Sequence, residues 1–116
     1  MKLLVLPSLL LIGGCAHSPS GHDRLMQHIE QRVTLPPDAS PISNYKRYYS
    51  WKAKERRKTV RALYVVEGAG GRIWVSDKDI PFVVHGGCAV VWFTFDVKED
   101  HAWAVQCNDN GPHRSE

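Results

Sequence analysis

Six histidines are the side chains of this sequence with the widest chemical range, from acid–base catalysis to metal binding. They are His17, His22, His28, His85, His101 and His113. A metal site needs several ligands that converge at fixed distances, and these histidines lack that spacing. His22 and His28, for example, lie six positions apart and fall on different faces of a helix. The sequence also lacks a nucleophile–base pair, so we predict no catalytic residues, no metal site, no cofactor and no enzymatic activity.

Two glycine-containing stretches are better explained as turns than as active-site loops. His85-Gly86-Gly87 is not accompanied by the G-x-S-x-G nucleophile motif that an oxyanion loop would serve. We interpret it as a loop or bulge before a strand. Gly68-Ala69-Gly70-Gly71 lacks the spacing of a phosphate-binding loop and does not open a helix. We therefore interpret this second stretch as a hairpin turn.

The strongest chemical signal is a basic segment interleaved with aromatic residues. Residues 45–61 (YKRYYSWKAKERRKTVR) contain eight basic residues and one acid, whereas the rest of the chain after Cys15 contains six basic and eleven acidic residues. This pattern suits contact with an anionic surface. The candidate binding residues are Lys46, Arg47, Lys52, Lys54, Arg56, Arg57, Lys58 and Arg61. The alternative is a solvated strand edge whose long basic side chains cover aromatic rings.

The first fifteen residues have the pattern of a processing signal. Lys2 supplies a positive charge, and Leu3 to Ile12 form a mostly apolar run. A run of ten residues is too short to cross a hydrocarbon core, which needs about 20 helical residues, but it fits a signal peptide. Ile12-Gly13-Gly14-Cys15 follows, with a branched apolar residue, two small residues and a cysteine.

This stretch resembles the lipobox of bacterial lipoproteins, and the resemblance is confined to residues 1–15. It implies cleavage before Cys15 and lipidation of Cys15 with fatty-acyl chains such as palmitate. Because Ala16 rather than aspartate follows the cysteine, it also implies sorting to the outer membrane. The alternative is an ordinary secretory signal that is cut near Ala16.

Cys88 and Cys107 remain as an even pair once Cys15 is lipidated. Exported proteins meet an oxidising compartment, where such pairs form disulfides. A hairpin that turns near residues 97–99 sets the two cysteines opposite each other, so we predict a Cys88–Cys107 bond. Strict alternation along this hairpin also predicts one shared face for Cys88, Val90, Trp92, Trp103, Val105 and Cys107.

The remaining pattern predicts one small α+β domain. Residues 22–33 have helical periodicity, with Asp23 as N-cap and Gln27 and Glu30 pointing outward. Residues 45–55 fit either a helical turn or irregular aromatic packing, and residues 76–79 fit a single helical turn. Strands are predicted over residues 57–66, 72–75, 88–97 and 101–107. We therefore expect a short N-terminal helix followed by a four-stranded antiparallel meander.

The expected organisation is a signal peptide over 1–14, a lipidated tether over 15–21, and a single domain over 22–116 with its core at about 45–109. We expect a lipid-anchored cell-envelope protein, on the periplasmic side of the outer membrane, with a non-enzymatic structural or interaction role. The alternative is a periplasmic binding module or inhibitor that recognises an anionic envelope component or an exported enzyme. The expected partners are the membrane and an anionic envelope surface or envelope protein, and not nucleic acid.

Replacing the predicted lipidation site tests the anchor directly. A Cys15→Ala variant should lose labelling by a clickable palmitate analogue and should leave the membrane fraction, because the thiol that accepts the lipid is gone. A Cys107→Ala variant, which keeps Cys15, should still be labelled. Unchanged labelling of Cys15→Ala would refute the anchor.

Overall fold

The computed structural model describes residues 21–55, 57–68 and 70–109. The predicted signal peptide, Cys15 and most of the tether therefore lie outside the described residues. One α-helix, α1 (Gly21–Arg32), precedes five strands. In the described ranges, no helix has the length and apolar character needed to cross a membrane.

The five strands form one mixed sheet in the order β3-β1-β2-β4-β5. Their bounds are β1 (Tyr45–Trp51), β2 (Thr59–Val66), β3 (Gly71–Trp74), β4 (Val90–Asp96) and β5 (His101–Cys107). The pairs β1–β2, β2–β4 and β4–β5 are antiparallel, whereas β1 and β3 are parallel. The predicted α+β class is confirmed, but the four-stranded antiparallel meander is wrong. The sheet has a fifth strand and one parallel pair.

The additional strand is β1, which comes from the segment that the sequence left between a helical turn and irregular packing. Its burial alternates at first, with Tyr45, Arg47 and Tyr49 buried and Lys46 and Tyr48 half-buried. Alternation with period two is the strand pattern. The sequence conceals it because Arg47, a basic residue, occupies one of the buried positions.

The connection from β2 to β3 explains the parallel pair. It passes the start of β1, so that β3 pairs with β1 instead of forming a hairpin with β2. Gly70 has a positive φ of 75°, and a Cβ there would lie 2.7 Å from the carbonyl oxygen of Ser43. Only glycine fits this close approach without displacing backbone. The interpretation of residues 68–71 as a hairpin turn is therefore wrong.

Helix α1 covers one face of the sheet, here called the helix face. Met26 and Ile29 of α1 are buried against side chains from three strands. Those side chains are Tyr45, Tyr49, Val60, Ala62, Tyr64, Val91, Phe93 and Phe95. The strand side chains of this cluster sit at alternate positions, as burial of one sheet face requires. The opposite side of the sheet is here called the open face.

The Cys88–Cys107 disulfide is present, as predicted, with a Cα–Cα distance of 4.6 Å. Cys88 lies in a 3₁₀ turn (Gly87–Ala89) just before β4, and Cys107 is the last residue of β5. In the chain-entropy picture, closing a loop of this length contributes about 3 kcal/mol. The bond ties the end of the edge strand β5 to the chain entering β4.

The hairpin of β4 and β5 does not keep the predicted alternation. Its register shifts between Trp92 and Thr94, opposite Ala104, which has a positive φ of 55°. This irregularity turns Val105 toward the core with Cys107, while Trp103 remains 53% exposed. Because a bulge reverses the side-chain alternation beyond it, the predicted shared face is wrong.

Glu30 does not point outward as predicted but lies between α1 and the sheet. Its side chain is only 11% exposed. Arg47 Nε donates to Glu30 Oε2 at 3.0 Å, and Tyr49 donates its hydroxyl to the same oxygen at 2.8 Å. Arg72 binds the carboxylate in a bidentate manner, with Nε donating to Oε2 and Nη2 to Oε1, each at 3.1 Å. One helix carboxylate therefore bonds to β1 and to β3.

Removing this carboxylate should destabilise the protein strongly. A Glu30→Ala variant would leave Arg47, which is 7% exposed, without its ion-pair partner, at an expected cost of about 3 kcal/mol. Urea denaturation followed by circular dichroism measures the loss. Gln27→Ala is the matched control on an exposed position of the same helix and should change the stability by less than about 0.5 kcal/mol. Equal stability of the two variants would contradict the assigned role of Glu30.

Candidate functional site

A long connection crosses the open face of the sheet between β3 and β4. It begins with a 3₁₀ turn (Asp77–Asp79), close to the predicted single turn at 76–79. Arg61 of β2 donates to Asp77 Oδ1 at 2.6 Å, and Ser50 Oγ lies 3.3 Å from the same oxygen. These bonds fix the start of the connection to the middle strands of the sheet.

Asn108 fixes the far end of the same connection. Its side-chain amide donates to the carbonyl oxygens of Val83 and His85, at 2.8 and 2.9 Å. Its Oδ1 accepts a hydrogen bond from Trp92 Nε1 at 2.8 Å. Cys107, the residue before Asn108, is fixed by its disulfide to Cys88. Residues 80–85 are thus held across the sheet by bonds at both ends.

A groove of about 410 Å³ lies between this connection and the sheet. Most of its lining is apolar and includes the side chains of Leu63, Ile80, Pro81, Phe82, Val83 and Trp92. Ala62 and Phe93 also border the groove, but their side chains belong to the helix-face core. Its polar lining consists of Lys52, Arg61, Thr94 and Asn108. An apolar cleft of this size with few polar groups is the usual form of a small-ligand site.

Large apolar side chains are exposed beside the groove. Phe82 is 91% exposed, Val84 57%, Trp103 53% and Trp92 39%. We call these four residues the apolar rim. Trp103 pairs with Thr94, and Thr94 alternates with Trp92 along β4, so both tryptophans lie on the open face. Contiguous exposed apolar surface is a common feature of interaction sites.

The eight predicted anionic-surface residues do not form one surface. Arg47 is buried on the helix face, where it contacts Glu30 and the carbonyl oxygens of Ile42 and Tyr45. It is therefore a structural residue. Lys46 makes a cation–π contact, with its Nζ 5.7 Å from the ring centre of Tyr48.

The other basic residues lie nearer the hairpin between β1 and β2. Lys52 and Arg61 line the groove, and Lys52 also lies 3.6 Å from Glu55. Lys54, Arg57 and Lys58 are exposed between the two strands, and we call these three residues the basic tip. Arg56 lies outside the described residues.

The histidines are dispersed. His22 stacks on Trp74, His28 pairs with Asp100, His85 lies 3.2 Å from Asp109, and His101 packs against Trp103. Within residues 21–55, 57–68 and 70–109, no group of three or more potential ligands is placed to hold a metal ion. His17 and His113 lie outside the described residues. The contact with His28 lowers the pKa of the Asp100 carboxyl below its ordinary value.

Comparison with known proteins finds no match to a family model, a curated protein or a solved structure.

The groove itself was not predicted from the sequence. Its outer wall is the run Ile80-Pro81-Phe82-Val83-Val84, which is apolar without the period of a helix or the alternation of a strand. A short apolar run of this kind signals chain that packs against another element, without showing which one. Its partners on β2 and β4 could not be read from the sequence, because they depend on the strand order.

Proposed function

We propose that this protein is a non-enzymatic, lipid-anchored interaction protein of the bacterial cell envelope. It binds its partner through the groove and the apolar rim. One observation carries the proposal: on the side of the sheet opposite α1, the protein has a fixed apolar cleft and the exposed side chains of the apolar rim.

The groove is suited to binding more than to bond-breaking chemistry. Its polar side chains already have structural roles, because Arg61 bonds to Asp77 and Asn108 bonds to Trp92 and to the crossing connection. Lys52 lies beside Glu55. The apolar lining offers surface whose burial stabilises a complex by about 25 cal/mol per Å².

The envelope location rests on the lipobox-like residues 12–15. The Cys88–Cys107 disulfide supports it, since structural disulfides are typical of exported proteins. A lipid at Cys15 would hold the domain at a membrane by a short polar tether, residues 16–20.

Site-specific photo-crosslinking tests the proposed binding face in cells. A photoreactive phenylalanine analogue at position 82 should yield a specific adduct with an envelope component, because this position is 91% exposed beside the groove. The same analogue at Gln31, an exposed position of α1, is the matched control and should not give that adduct. Absence of an adduct from position 82, or identical adducts from both positions, would refute the proposal.

The basic tip favours a second function, attachment to an anionic envelope surface. Lys54, Arg57 and Lys58 are exposed, and in the described part of the chain none of them makes an ion pair. Basic residues near an anionic leaflet contribute about 1 kcal/mol each. The tip would then add an electrostatic contact to the one made by the groove.

Neutralising the tip should weaken salt-sensitive binding without unfolding the protein. Replacing Lys54, Arg57 and Lys58 by glutamine should reduce sedimentation with anionic vesicles or isolated cell wall, because it removes the charges that attract the anionic surface. Binding of the parent protein should fall with added salt, because attraction between exposed charges is screened within about 8 Å at physiological salt. The protein should carry Cys15→Ala so that the lipid does not mask the effect. Thermal stability should change little. If the parent protein binds neither material in a salt-sensitive manner, the tip is only a solvated surface.

A further inference from the structure

We propose that the groove binds the acyl chain of an anionic amphiphile, with the chain along the apolar walls and the head group at Lys52 and Arg61. This inference rests on the proposed function, because it names the ligand class of the same groove.

The walls and volume of the groove fit an alkyl chain. Leu63 and Trp92 belong to the sheet, and Ile80 and Phe82 to the crossing connection. An alkyl chain between these two layers needs no hydrogen-bond partner and gains stability from leaving water. The volume of about 410 Å³ lies within the range of roughly 300–1,000 Å³ that is typical of small-ligand pockets.

A peptide fits this groove less well. The sheet beneath it is formed by β2 and β4, and each of these strands is paired on both sides. Their backbone N–H and C=O groups are therefore already used in the sheet. Asn108 has its amide engaged as well. A peptide backbone would find no partners on the sheet side of the groove, and buried unpaired amides are costly.

The basic residues define the end that takes the head group. The backbone N–H of Lys52 donates to the carbonyl oxygen of Thr59, and Arg61 lies opposite Ser50 in the register of β1 and β2. The side chains of Lys52 and Arg61 are therefore diagonal neighbours on the open face. The described residues from 52 to 61 include five basic side chains and one acid, Glu55. This end of the groove therefore complements a negative charge.

Both basic residues can still accept an anion. Arg61 uses Nη1 for Asp77, but a guanidinium has five N–H donors. Lys52 Nζ lies 3.6 Å from Glu55, which is longer than a normal hydrogen bond. A carboxylate or phosphate head group would thus find charge-assisted donors without displacing the bond that fixes the connection.

Binding of three amphiphiles with the same chain tests the inference. The full chain carrying Cys15→Ser, which removes its own lipid, is titrated with dodecanoate below its micelle concentration. Calorimetry and tryptophan fluorescence follow binding, since Trp92 lines the groove. We expect saturable binding of dodecanoate, weaker binding of dodecanol, and binding of dodecyltrimethylammonium at least about tenfold weaker than that of dodecanoate.

Two variants separate the head-group contact from the chain contact. Lys52→Gln should weaken dodecanoate binding about fivefold and leave dodecanol binding unchanged. Phe82→Ser should weaken both ligands, because it removes a wall of the groove. The matched controls are Lys98→Gln, an exposed lysine in the turn between β4 and β5, and Val66→Ser, which is 43% exposed at the end of β2. Both controls should bind like the parent protein, and circular dichroism should show that all four variants fold.

The inference is overturned if dodecanoate does not bind saturably, if the cationic amphiphile binds as well, or if the groove variants bind like their controls. Photo-crosslinking from position 82 then distinguishes the two claims. A protein adduct there without amphiphile binding would preserve the proposed function and replace the ligand class with a protein. Failure of both experiments would remove the groove as a binding site.

Discussion

The attachment of α1 to the sheet depends on one carboxylate, that of Glu30. Its two oxygens accept hydrogen bonds from Arg47, Tyr49 and Arg72. Tyr49 in turn shares a hydrogen bond of 2.6 Å with Tyr64 of β2. Burial raises the pKa of both phenols above the ordinary value, so the two hydroxyl groups stay protonated. The polar groups under the helix are therefore satisfied as one connected network, which is the condition for burying charge at small cost.

This network helps to explain why the two faces of the sheet are covered differently, one by a helix and the other by an extended connection. With Arg47 neutralised by Glu30, the helix face can be closed by a helix that buries only Met26 and Ile29. A short helix then suffices for that side. The open face receives no helix but a single extended connection, and the connection leaves the groove beside it. The cleft thus results from covering a five-stranded sheet with too little chain on one side.

The sequence was sufficient for the features that depend on local pattern or on composition. These are the helix, four of the five strands, the short turn near residue 78 and the disulfide. It was insufficient where a residue's role depends on a distant partner. Arg47 and Glu30 resemble surface residues in the sequence, and only the position of the helix over β1 shows that they form a buried pair. Trp103 and Cys107 lie on opposite faces of the sheet because the alternation is broken at Ala104. The parallel pairing of β3 with β1 also requires long-range information, since local turn signals favour pairing with β2.

Helix α1 lies across the sheet from one edge to the other. Near its start, His22 stacks on Trp74 of β3 with ring centres 4.1 Å apart, and near its end Arg32 Nε lies 3.1 Å from Asp100 in the turn before β5. A mechanical load applied at Gly21 would act first on the stacked rings and then on the helix one turn at a time. Because the load reaches the helix before any strand, α1 would peel away before the hydrogen bonds between the strands were pulled apart. A tether attached at this end would therefore yield at the helix while the sheet and its groove kept their shape.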